Sequence, residues 1–192
     1  MKATMQDVAK EAGVDKATVS RVLKGDHRIS EKTRIKVIAA VHSLNYRLDR
    51  NAQNLSTNKS GFIGVVLKEL NLPWVAPFIA GLDRSIANTD YDILIKCTDG
   101  DPRRAVREFG KMNDRCVEGL IWGDPVNFPE NISIPAVTLG FKRDGSVAII
   151  SDDGVFAPTF ETGALAGRII IRAVTGKAVP MREVIIKGAD DA

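Results

Sequence analysis

Residues 15–25 read DKATVSRVLKG. They raise the question of why so short a helix would set Lys16, Thr18, Ser20, Arg21 and Lys24 around a thin apolar stripe. Asp15 is a favoured helix-starting residue, and Ala17, Val19, Val22 and Leu23 are the positions open to burial. Upstream, Thr4 precedes a helical pattern with Val8, Ala9 and Ala12 on one face. Asp7, three residues after Thr4, makes a capping box with a short acid. Gly13 is a stop, because glycine tolerates the left-handed turn that ends a helix. Val14 follows as an apolar plug. Downstream, a third helix is predicted from Ser30, with Glu31 in its first turn and Ile35, Val37, Ile38, Val41 and Leu44 as its apolar residues. Two short helices joined by a tight glycine-containing turn are the helix-turn-helix layout.

That layout explains the polar stripe. The second helix needs only enough apolar residues to lean on its neighbours, and its other face stays free. In a helix-turn-helix the second helix enters the DNA major groove, and its amino-terminal side chains meet base edges. Lys16 and Ala17 occupy that turn. Arg21, one turn on, has the fork that pairs bidentately with guanine. Thr18, Ser20 and Lys24 suit phosphate oxygens.

Charge is distributed accordingly. Residues 1–60 hold twelve Lys and Arg against six Asp and Glu, whereas the rest hold fifteen against eighteen. The chain is thus a basic module on a mildly acidic body, and basic modules meet phosphate. Cys97 and Cys116 have no metal-ligand spacing and sit among apolar neighbours, so buried free thiols are expected. His27 and His42 are isolated, and no metal or cofactor is expected. No apolar run approaches the roughly 20 residues of a membrane span, and MKATMQDVAKEAG lacks a signal-peptide core. A cytoplasmic protein is expected.

Residues 46–60 are polar and uneven, and RNAQNLS is about two turns long, too short to stand alone as a helix in water. Beyond Ser60 the pattern changes. GFIGVVL, YDILIKC, VEGLIWG, IPAVTLG, SVAIISD and REVIIKG read as buried strands. Helices fit about 77–88, 102–115 (Ala105, Val106, Phe109 and Met112 inward) and 159–174. Alternating strands and helices give an α/β, doubly wound parallel sheet. Three parts are expected: a helix-turn-helix head over 1–48, a hinge and linker over 49–60, and an α/β core over 61–192.

The pieces DVAKEAGV, TVSRVLKG, ISEKTRIKV, LNYRLDRNAQNL and IGVVL, in this order and spacing, resemble the start of the lactose and galactose repressor family. YDILI, CVEGLIWGDP and IPAVTLG resemble its periplasmic-binding-protein-like effector core. The resemblance implies a sequence-specific repressor that binds a palindromic operator as a homodimer. It implies that Lys16, Ala17 and Arg21 read bases, with Arg28 near a second base-reaching position. It implies that Thr4, Ser20, Ser30 and Thr33 contact the DNA backbone. Arg50–Ser56 matches the family's hinge helix, and Leu55 stands where the family wedges a side chain into the minor groove. Dimer contacts would come from the helix at 77–88 and the paired hinges.

Most of the family's second core subdomain is missing, and an internal loss near FKRDGSVAIISDDG fits better than a later truncation. Half of a ligand cleft is therefore absent. Trp74 falls in a cleft-lining loop, Trp122 lies at the carboxyl end of the third strand, and Asp152 and Asp153 lie near the same edge, where open sheets bind ligands. A sugar or nucleobase effector would meet these residues. The alternatives are a small-ligand binding module or a degenerate repressor remnant. An enzyme is not expected, because no dinucleotide or phosphate-loop signature follows the first strand and no nucleophile has a base partner.

Overall fold

The computed structural model describes residues 3–23, 25–46, 59–152, 156 and 158–187. Lys24, the hinge segment with Leu55, and Asp153 lie outside the described residues. The chain divides into two compact units, residues 1–53 and 54–192.

The first unit holds α1 (Met5–Ala12), α2 (Lys16–Leu23) and α3 (Glu31–Ser43). The expected capping box forms: the Asp7 amide donates to Thr4 Oγ1 at 3.3 Å and the Thr4 amide donates to Asp7 Oδ2 at 2.8 Å. Gly13 takes φ 65°, and the next amide, Val14, returns to the Ala9 carbonyl at 3.0 Å. Val8, Ala9, Ala12, Val19, Val22, Val37 and Ala40 form the core. Ala17, counted among the buried positions above, is exposed. Ile35 and Ile38, apolar residues of the same helix, are 61% and 39% exposed. At 100° per residue, Val37, Ala40, Val41 and Leu44 share one face of α3, and that geometry turns Ile35 and Ile38 to the other side.

The second unit is a six-stranded, all-parallel sheet of β1 (Phe62–Leu67), β2 (Asp92–Cys97), β3 (Gly119–Gly123), β4 (Ala136–Leu139), β5 (Ser146–Ser151) and β6 (Glu183–Ile186). The order is β2-β1-β3-β4-β5-β6. All six expected strands are present. Helices α4 (Val75–Ile86) and α6 (Phe160–Val174) pack on Ile63, Val65, Leu67, Ile121 and Ile149. Helix α5 (Pro102–Asp114) packs with Val66, Leu120 and Trp122, the alternate side chains of the same strands. The expected alternation of strand and helix breaks between β3, β4 and β5. No described helix joins them, and six residues suffice from Leu139 to Ser146, since β4 is only four residues long.

Two local expectations fail. Val106 is 73% exposed, whereas Glu108 turns inward on α5 and is held by Lys111 Nζ at 2.9 Å. Cys116 is exposed, at φ 54° in the turn after α5, and Cys97 is half-buried on the edge strand β2. The start of the core is pinned by Glu118. One carboxylate oxygen accepts the Gly61 amide at 2.9 Å and the other accepts the Tyr91 hydroxyl at 3.0 Å. Burial first, and then Glu118, pushes the Tyr91 phenol up to about 12.

Helices α4 and α6 meet backbone to backbone. A Cβ on Gly163 would run into the Phe78 carbonyl, and one on Gly81 would run into the Phe160 carbonyl. Helix propensity alone favours alanine over glycine by roughly 1 kcal/mol. Backbone overpacking costs more, so Gly163→Ala is expected to destabilise the core by about 2–3 kcal/mol. Both tryptophans lie in the core, so urea unfolding followed by their fluorescence reads this directly. A gain in stability would mean that the helices do not approach this closely.

Candidate nucleic-acid interface

An eight-residue helix is closed at both ends by side chains and a turn. At its start, Asp15 Oδ1 accepts the Thr18 amide at 2.7 Å and Oδ2 accepts the Thr18 hydroxyl at 2.9 Å. At its end, the Gly25 amide donates to the Val22 carbonyl and the Asp26 amide to the Arg21 carbonyl, both at 3.0 Å. Gly25 sits at φ 75°, the left-handed position this closure requires. Val19 and Val22 anchor α2 in the core of the first unit. With both ends and one face committed, Lys16, Ala17 and Arg21 are exposed on the remaining surface, while Ser20 is half-buried.

The other expected contact residues have local duties. Thr18 spends its hydroxyl hydrogen on Asp15. Thr4 and Ser30 cap α1 and α3, and the Ser30 hydroxyl lies 2.9 Å from that of Thr33. These caps hold two helix amino termini in place, and such termini favour phosphate. Arg28 is the least expected. Its side chain is 86% exposed, yet its Nε donates to Asp26 Oδ1 at 3.0 Å and its Nη2 to Asp26 Oδ2 at 2.8 Å. The sequence points to Arg28 by resemblance and gives Asp26 no role. The Asp-x-Arg spacing was the signal that could have joined them.

The effector residues expected in the core lie in different local settings. Trp122 is fully buried, donates its indole N–H to the Asp124 carbonyl at 2.8 Å, and packs edge-on against Phe109 and Phe128. A ligand cannot reach it, which corrects the expectation. Its side chain alternates onto the α5 face of the sheet rather than pointing along the strand. Trp74 precedes α4 and packs edge-on against Phe78 at 6.0 Å. Asp152 follows β5, and its amide donates to the Ile186 carbonyl at 3.1 Å. Sequence reading missed Asp124, a buried carboxylate held by the Thr98 hydroxyl, the Asn127 amide and the Val126 amide. A cleft of about 630 Å³ lies elsewhere, at the amino ends of β5 and β6, bounded by Phe128, Arg143, Arg182 and the Lys142–Glu183 ion pair. No described helix is long and apolar enough to cross a membrane.

The profile of bacterial regulatory proteins of the lacI family matches residues 4–49, the whole of the three-helix arrangement just described. The first unit is therefore similar to the lacI family of regulatory proteins. The chain is 29% identical over 158 residues to the HTH-type transcriptional regulator DegA of Bacillus subtilis, covering 82% of this chain and 46% of that protein. It is 34% identical over 119 residues to the ribose operon repressor of Escherichia coli K12, covering 62% of this chain and 36% of that protein. The chain therefore spans less than half the length of these relatives. Among solved structures, the lac repressor dimer bound to operator and the anti-inducer ONPF superposes with a TM-score of 0.64 at 22% identity, over 98% of this chain and 66% of that one. That likeness speaks for a shared fold. The lac repressor bound to ONPG gives a TM-score of 0.58 at 26% identity, over 79% of this chain and 49% of that one.

Three carboxylates of the first unit are held in the ionised form by local hydrogen bonds. Side-chain and backbone bonds from Thr4, Thr18 and Arg28 hold Asp7, Asp15 and Asp26 below the ordinary value of 3.8. A folded-state pKa lowered in this way gives stability that is present above the unfolded value and lost as pH falls. The amide NMR spectrum of this three-helix unit is expected to hold from neutrality to about pH 4 and to lose dispersion progressively as pH falls further, through the lowered folded-state values. Asp15→Ala is expected to lower its melting temperature at pH 7 and to flatten part of the acid response. An unchanged melting temperature would remove Asp15 from the account.

Proposed function

We propose that this chain is a sequence-specific DNA-binding transcriptional regulator, a repressor that places α2 in the major groove. The observation that carries the reading is the exposed Lys16, Ala17 and Arg21 surface on a helix fixed at both ends, within the segment that matches the lacI family. Lys16 and Ala17 occupy the first turn, where side chains reach base edges. Ala17 offers only a methyl, which suits a thymine methyl, and Arg21 offers a fork for guanine. Arg28 reaches a further base. Thr4, Thr18, Ser20, Lys24, Ser30 and Thr33 position the head on phosphates, helped by the amino termini of α1 and α3.

A single head reads few base pairs, so two copies on a palindromic operator are proposed, as the ribose operon repressor's name and the operator-bound lac repressor dimer suggest for relatives. Leu55 would wedge into the minor groove between the paired hinges, kinking the duplex. The protein would act in the cytoplasm, where the chromosome is. Trp122 is fully buried, so it would not serve a sugar or nucleobase effector.

Selection of bound sites from random duplex DNA is the test. A two-fold symmetric motif is expected to emerge. Arg21→Ala is expected to cost about 1–3 kcal/mol on that motif while sparing scrambled duplex. Equal loss on both would make Arg21 a phosphate contact, and no enriched motif would overturn the reading. Leu55→Ala is expected to lower the bend angle of the bound duplex, and an unchanged angle would remove the wedge.

A further inference from the structure

Asp26 sits just beyond the end of α2, and its main chain is unusually well fixed. Its amide closes the helix on the Arg21 carbonyl at 3.0 Å. Its own carbonyl accepts Arg34 Nη2, from α3, at 3.1 Å. The Asp26 side chain is only 17% exposed, and it accepts three bonds from Arg28: the backbone amide at 3.0 Å, Nε at 3.0 Å and Nη2 at 2.8 Å. The carboxylate is therefore a seated base and the guanidinium points outward.

The chemistry lies in which edge of the guanidinium is taken. Side-on pairing uses the Nε hydrogen and one Nη2 hydrogen. The end-on edge, made by Nη1 and the second Nη2 hydrogen, is unclaimed among the described residues. That end-on edge is the fork that guanine O6 and N7 accept. Holding it in one direction before docking removes part of the ordering cost. The pair also carries no net charge, so it adds little to the general attraction for phosphates.

We propose that Asp26 is a positioning residue for base recognition: it holds Arg28 side-on so that the end-on fork meets a guanine. This inference rests on the DNA-reading function proposed above. Asp26 trades general DNA affinity for discrimination at one base pair in each half-site. A purely structural role for Asp26 would lower both together.

The test is fluorescence anisotropy on the full-length chain with the selected duplex, single-base-pair variants of it, and a scrambled duplex. Asp26→Asn is expected to cut the preference at one base-pair position about tenfold. Binding to scrambled duplex is expected to stay equal or to rise, since a negative charge is gone. Arg28→Ala is expected to lose the same preference, and adding Asp26→Asn to it is expected to cost nothing more. Arg28→Lys, which keeps the charge and lacks the fork, gives a route independent of Asp26 and is expected to lose that preference as well. Preference retained in Asp26→Asn or in Arg28→Lys, equal losses on all duplexes, or additive losses in the double variant would each overturn the proposal. A wild-type chain with no preference among duplexes would overturn the DNA-reading function too, whereas a selective wild type with an equally selective Asp26→Asn overturns only the role of Asp26.

Discussion

Closure of the two ends of α2 is the constraint on which the first unit depends. Eight residues make too few internal hydrogen bonds to sustain a helix in water. Asp15 satisfies the amino end, and the Gly25–Asp26 turn satisfies the carboxyl end. Val19 and Val22 then need to bury only a narrow stripe. Because stability comes from the ends and from that stripe, the outward surface is released from structural duty. Lys16, Ala17 and Arg21 are left free of structural duty, and this is the physical sense in which a short, polar helix could serve the DNA-reading role proposed above.

The second unit is built on a different economy. Its strands are buried on both faces, so their residues are continuous apolar runs rather than alternating ones. One face is closed by α4 and α6 through glycines that bring main chains together, and the other by α5 with Trp122 beneath it. Glu118 ties the beginning of β1 to Tyr91, giving the core a fixed point of entry. Trp122 and Asp124 are spent on internal packing and hydrogen bonding, so the sheet's carboxyl edge carries less exposed recognition chemistry than strand position alone suggests.

Local chemistry was the most legible part of the sequence. Thr4, Asp7 and Gly13 act within a few residues of themselves, so their spacing reveals the helix they bound. All six strands were visible as apolar runs edged by glycine or polar residues. Side-chain direction was harder to read. Ile35, Ile38 and Val106 are apolar yet exposed, because packing selects a face and not every apolar residue falls on it. Trp122 was placed near a ligand edge from its position along the strand, but the alternation of the strand points it into the core. Cys116 was read as buried from its neighbours, whereas the turn after α5 leaves it outside. The Asp26–Arg28 pair was not legible because nothing in the local pattern, beyond its spacing from Arg28, singles out Asp26. Their union depends on the turn after α2, and it changes what both can do.

The exposed face of α2 as the DNA-contacting surface is the central claim, and a 1H–15N titration of the full chain with its selected duplex tests it most directly. The largest amide shifts are expected at residues 16–21 and at Arg28, with the sheet unit little affected. Shifts concentrated on the outward face of α3 around Ile35 and Ile38, with α2 silent, would contradict it.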